Sequence, residues 1–287
     1  MGSVIGRRRF LAATGGLITA SALPSVFGGA AAAHQGEKHE RSALVLSSDL
    51  YASPDPQRFV FALAKGERFA SFKAAQVAFA PPGSTEGTVL DTTLYKKGLP
   101  TGRGVYVVDA TFPVAGVWTA LVVTEQRPLG FAVEVKAHPE APIVGAVAPR
   151  AVSPTPADTL NVMPICTRRP KCPLHDTSLD QLTGTGMPLA VMFATPARCQ
   201  SQYCGPVLDE LLDLREHYAD RIQFHHVDIY RSNRGTELSP TVEAWGLPSE
   251  PWLFTVDATG VIRGRLDGAF GLGEINQELD ALVAASS

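Results

Sequence analysis

Two cysteines five residues apart, Cys199 and Cys204, stand where an apolar run (Val191-Met-Phe-Ala) breaks into a turn ahead of an amphipathic segment opening near Pro206 and Val207. Unpaired backbone N–H groups and the helix dipole stabilise a thiolate at a helix N-terminus, which makes such a cysteine nucleophilic near neutral pH. The chemistry this suits is thiol–disulfide exchange, in which one cysteine attacks a partner disulfide and the other resolves the mixed disulfide. A second pair, Cys166 and Cys172, encloses a short proline-containing loop, with His175 close behind. Three roles are open to it: a local structural disulfide, a resolving pair that exchanges with Cys199 or Cys204, or, with His175, a set of soft and borderline ligands for copper or zinc. Its spacing matches no zinc-ribbon pattern. The structural disulfide is the expectation, and no metal or other cofactor is expected.

The compartment follows from the N-terminus. Arg7-Arg8-Arg9-Phe10-Leu11 precedes an apolar stretch that ends in Ala30-Ala31-Ala32-Ala33, and it reads as an export signal resembling the twin-arginine type over residues 1–33. Glycines and Pro24 interrupt the apolar stretch, which falls short of a comfortable membrane span, so no stable insertion is expected after cleavage. No cysteine lies near the cleavage region to carry a lipid anchor, and the expected location is the periplasm, the cell envelope or the medium. Cleavage after Ala33 would leave His34 as an N-terminal amine plus imidazole able to bind copper. The 254 residues remaining of 287 carry 22 basic and 28 acidic side chains, a balance that argues against nucleic-acid binding. In an oxidising compartment the four cysteines favour disulfides, and of three connectivities the spacing selects Cys166 with Cys172 and Cys199 with Cys204.

Two domains are expected. Residues 41–137 contain short β-rich runs, Ala43–Leu46, Arg58–Leu63, Gln76–Ala80, Gly104–Ala110, Val117–Val123 and Gly130–Val135, separated by proline- and glycine-rich turns. That pattern predicts an immunoglobulin-like β-sandwich with Trp118 as a core aromatic. Residues 138–164 are rich in Pro and Ala without periodicity and read as a semi-rigid linker. Residues 165–287 open with the cysteine loop and continue as strand Leu189–Ala194, helix Val207–Tyr218, strand Ile222–Val227, short helix Thr241–Trp245, hairpin Trp252–Val256 and Val261–Leu266, and helix Glu274–Val283. His225 and His226 are neighbours in a strand, so they point to opposite faces and at most one approaches any site.

This β-α-β-α-β-β-α order, with Phe193-Ala-Thr leading into the cysteines, Cys204-Gly-Pro206, the strand end Val227-Asp228, and Trp245-Gly-Leu-Pro-Ser-Glu-Pro251-Trp, resembles the thioredoxin-like superfamily over about residues 178–287. The resemblance implies an α/β fold, a cis Pro251 beside the redox cysteines, a substrate groove shaped by Pro251, Trp252 and Pro206, and partners that are protein or small-molecule thiols and disulfides. The departure is a Cys-x4-Cys pair in place of Cys-x-x-Cys. Inside one helix these α-carbons would stand about 8.6 Å apart, beyond the roughly 7 Å a disulfide tolerates, so bridging requires a non-helical Cys199–Tyr203. Cys204-Gly-Pro resembles the attacking position of thioredoxins. Thr195-Pro196-Ala-Arg198-Cys199 resembles the peroxide-reacting segment of Q-type peroxiredoxins, which would give that role to Cys199, although Pro196 and Met192 stand where that motif carries Thr and Pro. Arg198 can stabilise a Cys199 thiolate or lie in solvent. The expectation is an exported thiol–disulfide oxidoreductase whose catalytic residues are Cys199 and Cys204. A Q-type peroxidase, a copper-handling protein of the Sco kind and a non-catalytic binding protein are the alternatives.

Overall fold

The computed structural model describes residues 41–66, 68–70, 76–125, 128–199 and 202–285. The segment expected to be an export signal, residues 1–33, and His34 lie outside them. Among the described residues the N-terminal unit is wholly β, in two antiparallel sheets. One joins β1 (Arg41–Val45), β2 (Ser53–Lys65), β7 (Val105–Phe112) and β6 (Thr93–Tyr95) in that order, with β3 (Arg68–Ala70) also on β2. The other runs β5 (Thr88–Asp91), β4 (Gln76–Ala80), β8 (Gly116–Val123), β9 (Leu129–Val135). Their facing sides carry one residue in two along each strand, and these meet in a largely aromatic core of Phe59, Phe61, Phe79, Tyr106, Phe112 and Trp118. Trp118 packs edge-on to Phe112, and its indole N–H donates to the Val114 carbonyl at 3.0 Å. β3, β5 and β6 escape a pattern search because they are three or four residues long.

The C-terminal unit has the expected element order. Its sheet is β11 (Gln223–Val227), β10 (Leu189–Phe193), β12 (Trp252–Val256), β13 (Ile262–Asp267), parallel between β10 and β11 and antiparallel elsewhere. β10 is buried on both faces, which is why it reads as an unbroken apolar run. Leu189, Val191 and Phe193 face α1 (Leu179–Leu182) and α3 (Pro240–Trp245), whereas Ala190 and Met192 face α2 (Cys204–Tyr218) and α4 (Leu272–Ala285). Ser239, Pro240 and Gly246 punctuate α3 as N-cap, first-turn proline and left-handed C-cap with φ 62°.

Residues 138–164 do not span a gap between the units. The Ala148 N–H donates to the Gly260 carbonyl and the Ile262 N–H to the Ala146 carbonyl, Val147 bridges Val261, and Ala141, Ala148 and Ala151 are buried in the core of the C-terminal unit. The small side chains that deprive the segment of periodicity are what let its backbone lie flush on that core. The units themselves are in contact. Along β2 the odd positions fill the sandwich, while Val60 points the other way onto Val105, Ala269 and Tyr203, the residue before Cys204.

Candidate active site

Cys199 and Cys204 form a disulfide with their α-carbons 5.8 Å apart. The geometry works because the helix starts at Cys204, leaving Cys199 in the turn that follows β10. The N–H groups of Arg198 and Cys199 donate to the Thr195 carbonyl at 3.0 Å, and Gln202 takes φ 64° to redirect the chain. α2 therefore begins two residues before Pro206, the expected start. The Cys204 N–H, one of the unpaired donors of the first turn, points at Cys199 Sγ from 3.3 Å. Cys199 is partly exposed and Cys204 is fully buried. The dipole and donor advantage thus falls on the sulfur that solvent can reach.

The buried sulfur has a different neighbour. Cys204 Sγ lies 3.5 Å from Glu250 Oε2, and Tyr230 Oη donates to Glu250 Oε1 at 3.3 Å. Burial pushes the Glu250 carboxyl up to about 7, against hydrogen bonds from Thr195 and Tyr230 that favour its ionised form. A carboxyl that changes protonation near neutral pH beside a buried sulfur is placed to take or return that sulfur's proton. Glu250 was missed in the sequence, where a lone acid between Ser249 and Pro251 carries no motif. Its position beside the proline that opens β12 was the available signal. The Glu250–Pro251 peptide is cis and Pro251 is buried. Pro206 is partly exposed in the first turn of α2. Trp252 departs from expectation: it is 0% exposed, stacked on Phe254 with Arg265 over its ring, so it belongs to the core and does not line a groove. The first residue of β12 points to the core face shared with Phe254, as period two requires.

Two arginines frame the turn. Arg198 does not turn to the sulfur; it donates to the carbonyls of Ser232, at 2.9 Å, and Gly235, and lies over the Tyr230 ring. Arg103, from the N-terminal unit, donates to Gln202 Oε1 at 2.6 Å and lies over the rings of Phe69 and Tyr203. The cover over Cys204 is thus gripped from the other unit, which no local motif could signal.

The other cysteines differ from expectation. Cys166 and Cys172 are free thiols with sulfurs 3.8 Å apart, not a disulfide. Both are buried, and two imidazoles share their pocket: His175 Nε2 at 3.2 Å and His226 Nδ1 at 3.4 Å from Cys172 Sγ. These contacts turn the sulfurs toward a common point. His175 was legible as a candidate through its nearness to Cys172; His226 was not, because it arrives on β11. His225, on the opposite face of that strand, meets Ser153 Oγ at 2.8 Å, and burial together with the neighbouring imidazoles lowers its pKa to about 3.

No protein-family model and no curated relative matches the chain. Among solved structures the C-terminal half is similar to a Chlorobium tepidum protein described as a thiol:disulfide interchange protein DsbE, with 15% identity and TM-score 0.36 over 49% of this chain and 98% of that one. A thioredoxin-family thiol:disulfide interchange protein from Chlorobium tepidum TLS is 16% identical, with TM-score 0.34 over 50% of this chain and 99% of that one. A thioredoxin-like superfamily protein is 14% identical, with TM-score 0.29 over 38% of this chain and 86% of that one.

Proposed function

We propose that this protein is an exported thiol–disulfide oxidoreductase of thioredoxin-like type, acting on protein or small-molecule disulfides through Cys199 and Cys204. One observation carries the reading: an accessible sulfur at a helix N-terminus is bridged to a buried sulfur that touches a carboxyl titrating near 7. In the reducing direction the Cys199 thiolate attacks a substrate disulfide and expels one substrate thiolate. Cys204 then passes its proton to Glu250 and attacks Cys199 Sγ, which closes the protein disulfide and releases the second substrate thiolate. Solvent protonates the two leaving thiolates. In reverse, a substrate thiolate attacks Cys199 Sγ, the accessible end of the disulfide, Glu250 returns the proton to Cys204, and a second substrate thiolate then attacks the mixed disulfide, forming the substrate disulfide and releasing the Cys199 thiolate.

The order assigned here, with Cys199 attacking and Cys204 resolving, rests on exposure and on the Glu250 contact. The chain requires no cofactor for this chemistry. Export is inferred from Arg7-Arg8-Arg9 and the apolar run that follows, and the N-terminal sheets are read as an immunoglobulin-like module.

The test is a redox titration of the mature protein against glutathione, with thiol-labelling mass spectrometry at each potential. Structural disulfides generally lie below about −300 mV. The expected result is that Cys199–Cys204 opens well above that range. A pair that resists reduction throughout would end the catalytic reading in favour of a binding scaffold. Peroxide consumption abolished in Cys199→Ser would move the assignment to a peroxidase.

A further inference from the structure

The buried cluster of Cys166, Cys172, His175 and His226 plays no part in the proposed exchange, and its geometry points to a metal. We infer that these four side chains form a tetrahedral zinc site that fastens the cysteine loop to the sheet behind the redox turn.

The argument begins with distances. With zinc–sulfur bonds of about 2.3 Å and zinc–nitrogen bonds of about 2.0–2.1 Å, a regular tetrahedron separates its ligand atoms by about 3.8 Å for sulfur to sulfur, about 3.3 Å for nitrogen to nitrogen and about 3.6 Å for nitrogen to sulfur. The structure places Cys166 Sγ 3.8 Å from Cys172 Sγ, and His175 Nε2 3.2 Å from His226 Nδ1. Cys172 Sγ lies 3.2 and 3.4 Å from those nitrogens, and all four ligand atoms fall within 4.8 Å of one another. Four atoms from two separate stretches of chain, the 166–175 loop and β11, therefore surround one point at close to the spacing a single zinc ion sets.

The outer contacts agree. His226 Nε2 meets the Ala194 carbonyl at 3.0 Å, which fixes the proton on that nitrogen and leaves the Nδ1 lone pair facing the cluster. Charge balances too: binding Zn²⁺ releases both thiol protons to solvent, and two thiolates with two neutral imidazoles leave a buried centre of zero net charge. A cavity of about 230 Å³ lined by Met163, Ile165, Lys171 and Asp176 reaches Cys166, Cys172 and His175 and offers an entry path. Ala194 directly follows β10 on the way into the Cys199 turn, so the site would brace that turn from behind.

The experiment uses the mature chain, reduced, stripped with chelator and then given Zn²⁺ alone, or Co²⁺ as a spectroscopic surrogate. One equivalent of zinc per chain is expected, as are the intense visible bands of tetrahedral Co²⁺ with thiolate-to-metal charge transfer. Cys199→Ser/Cys204→Ser should keep both signals, whereas His226→Ala should weaken binding by more than the roughly 100-fold reached by outer-shell losses. Because His226→Ala also empties a buried position of the sheet, the wild-type cobalt spectrum stands as a separate test. An octahedral spectrum, no bound metal, or zinc lost with the Cys199/Cys204 pair would each overturn the assignment. None of these outcomes depends on exchange activity, so the site and the proposed function can fail separately.

Discussion

Cys199 and Cys204 differ in burial, in donors and in neighbours, and each difference has a measurable consequence. With Cys204→Ser the resolving attack is lost, so a mixed disulfide between Cys199 and a model substrate should accumulate and be seen by mass spectrometry. Cys199→Ser should trap none. Glu250 adds a pH signature. Exchange in the reducing direction should rise through an inflection near pH 7 as the carboxylate forms, and Glu250→Gln should flatten that inflection and slow resolution roughly 10²-fold or more, as loss of a general base does. The same carboxyl affects stability with the opposite sense from an ion-paired acid. Its folded pKa is raised, so the folded state holds the proton more tightly and stability falls as pH climbs from the ordinary glutamate range through 7. Glu250→Gln should therefore be the more stable protein at pH 8, by about 1–3 kcal/mol, read by denaturant unfolding at pH 5 and pH 8.

At the scale of elements, the long, strongly patterned pieces were legible. β10, β12 and α2 carry apolar runs or stripes that continue because one or both faces are buried. The 199–203 turn was readable only as a condition: a Cys-x4-Cys disulfide demands that the helix wait until Cys204, and it does. What grips that turn was not readable. Arg103 reaches it from the β6–β7 connection of the other unit. Arg103→Ala should loosen the cover and raise the rate at which a small dithiol opens Cys199–Cys204 several-fold, measured by stopped-flow reduction, with little change in thermal midpoint.

Across the whole molecule, buried charge joins the two units. Arg58 of β2 donates to Glu274 at 2.7 Å and to the carbonyls of Asp267 and Ala269, and Asp49 accepts from Arg265 at 2.8 Å and from the Glu140 and Ala141 N–H groups. Gly268, at φ 72°, lies so close to the Leu46 carbonyl that a β-carbon would collide with it. Removing one member of a buried ion pair leaves the other unpaired, so Arg58→Ala should cost about 3–5 kcal/mol and split a single calorimetric transition into two as the units uncouple. Although burial of Asp49 opposes its charge, those N–H donors and Arg265 hold its carboxyl below the ordinary range. Its contribution is therefore present at neutral pH and is lost as pH falls below the ordinary aspartate value.

Local chemistry is written in the chain itself. The alternation of β8, the unbroken apolar β10 and the proline and glycine that bound α3 depend on neighbours a few residues away, so residue type and spacing were enough to determine them. Tertiary structure decided whatever requires distant segments to converge. It set Glu250 against Cys204, Arg103 against Gln202, the Pro- and Ala-rich segment against β13, and His226 against Cys172, one of two thiols that were expected to bond to each other. No local pattern encodes those meetings, because they follow from strand order and from which face of each strand is turned inward.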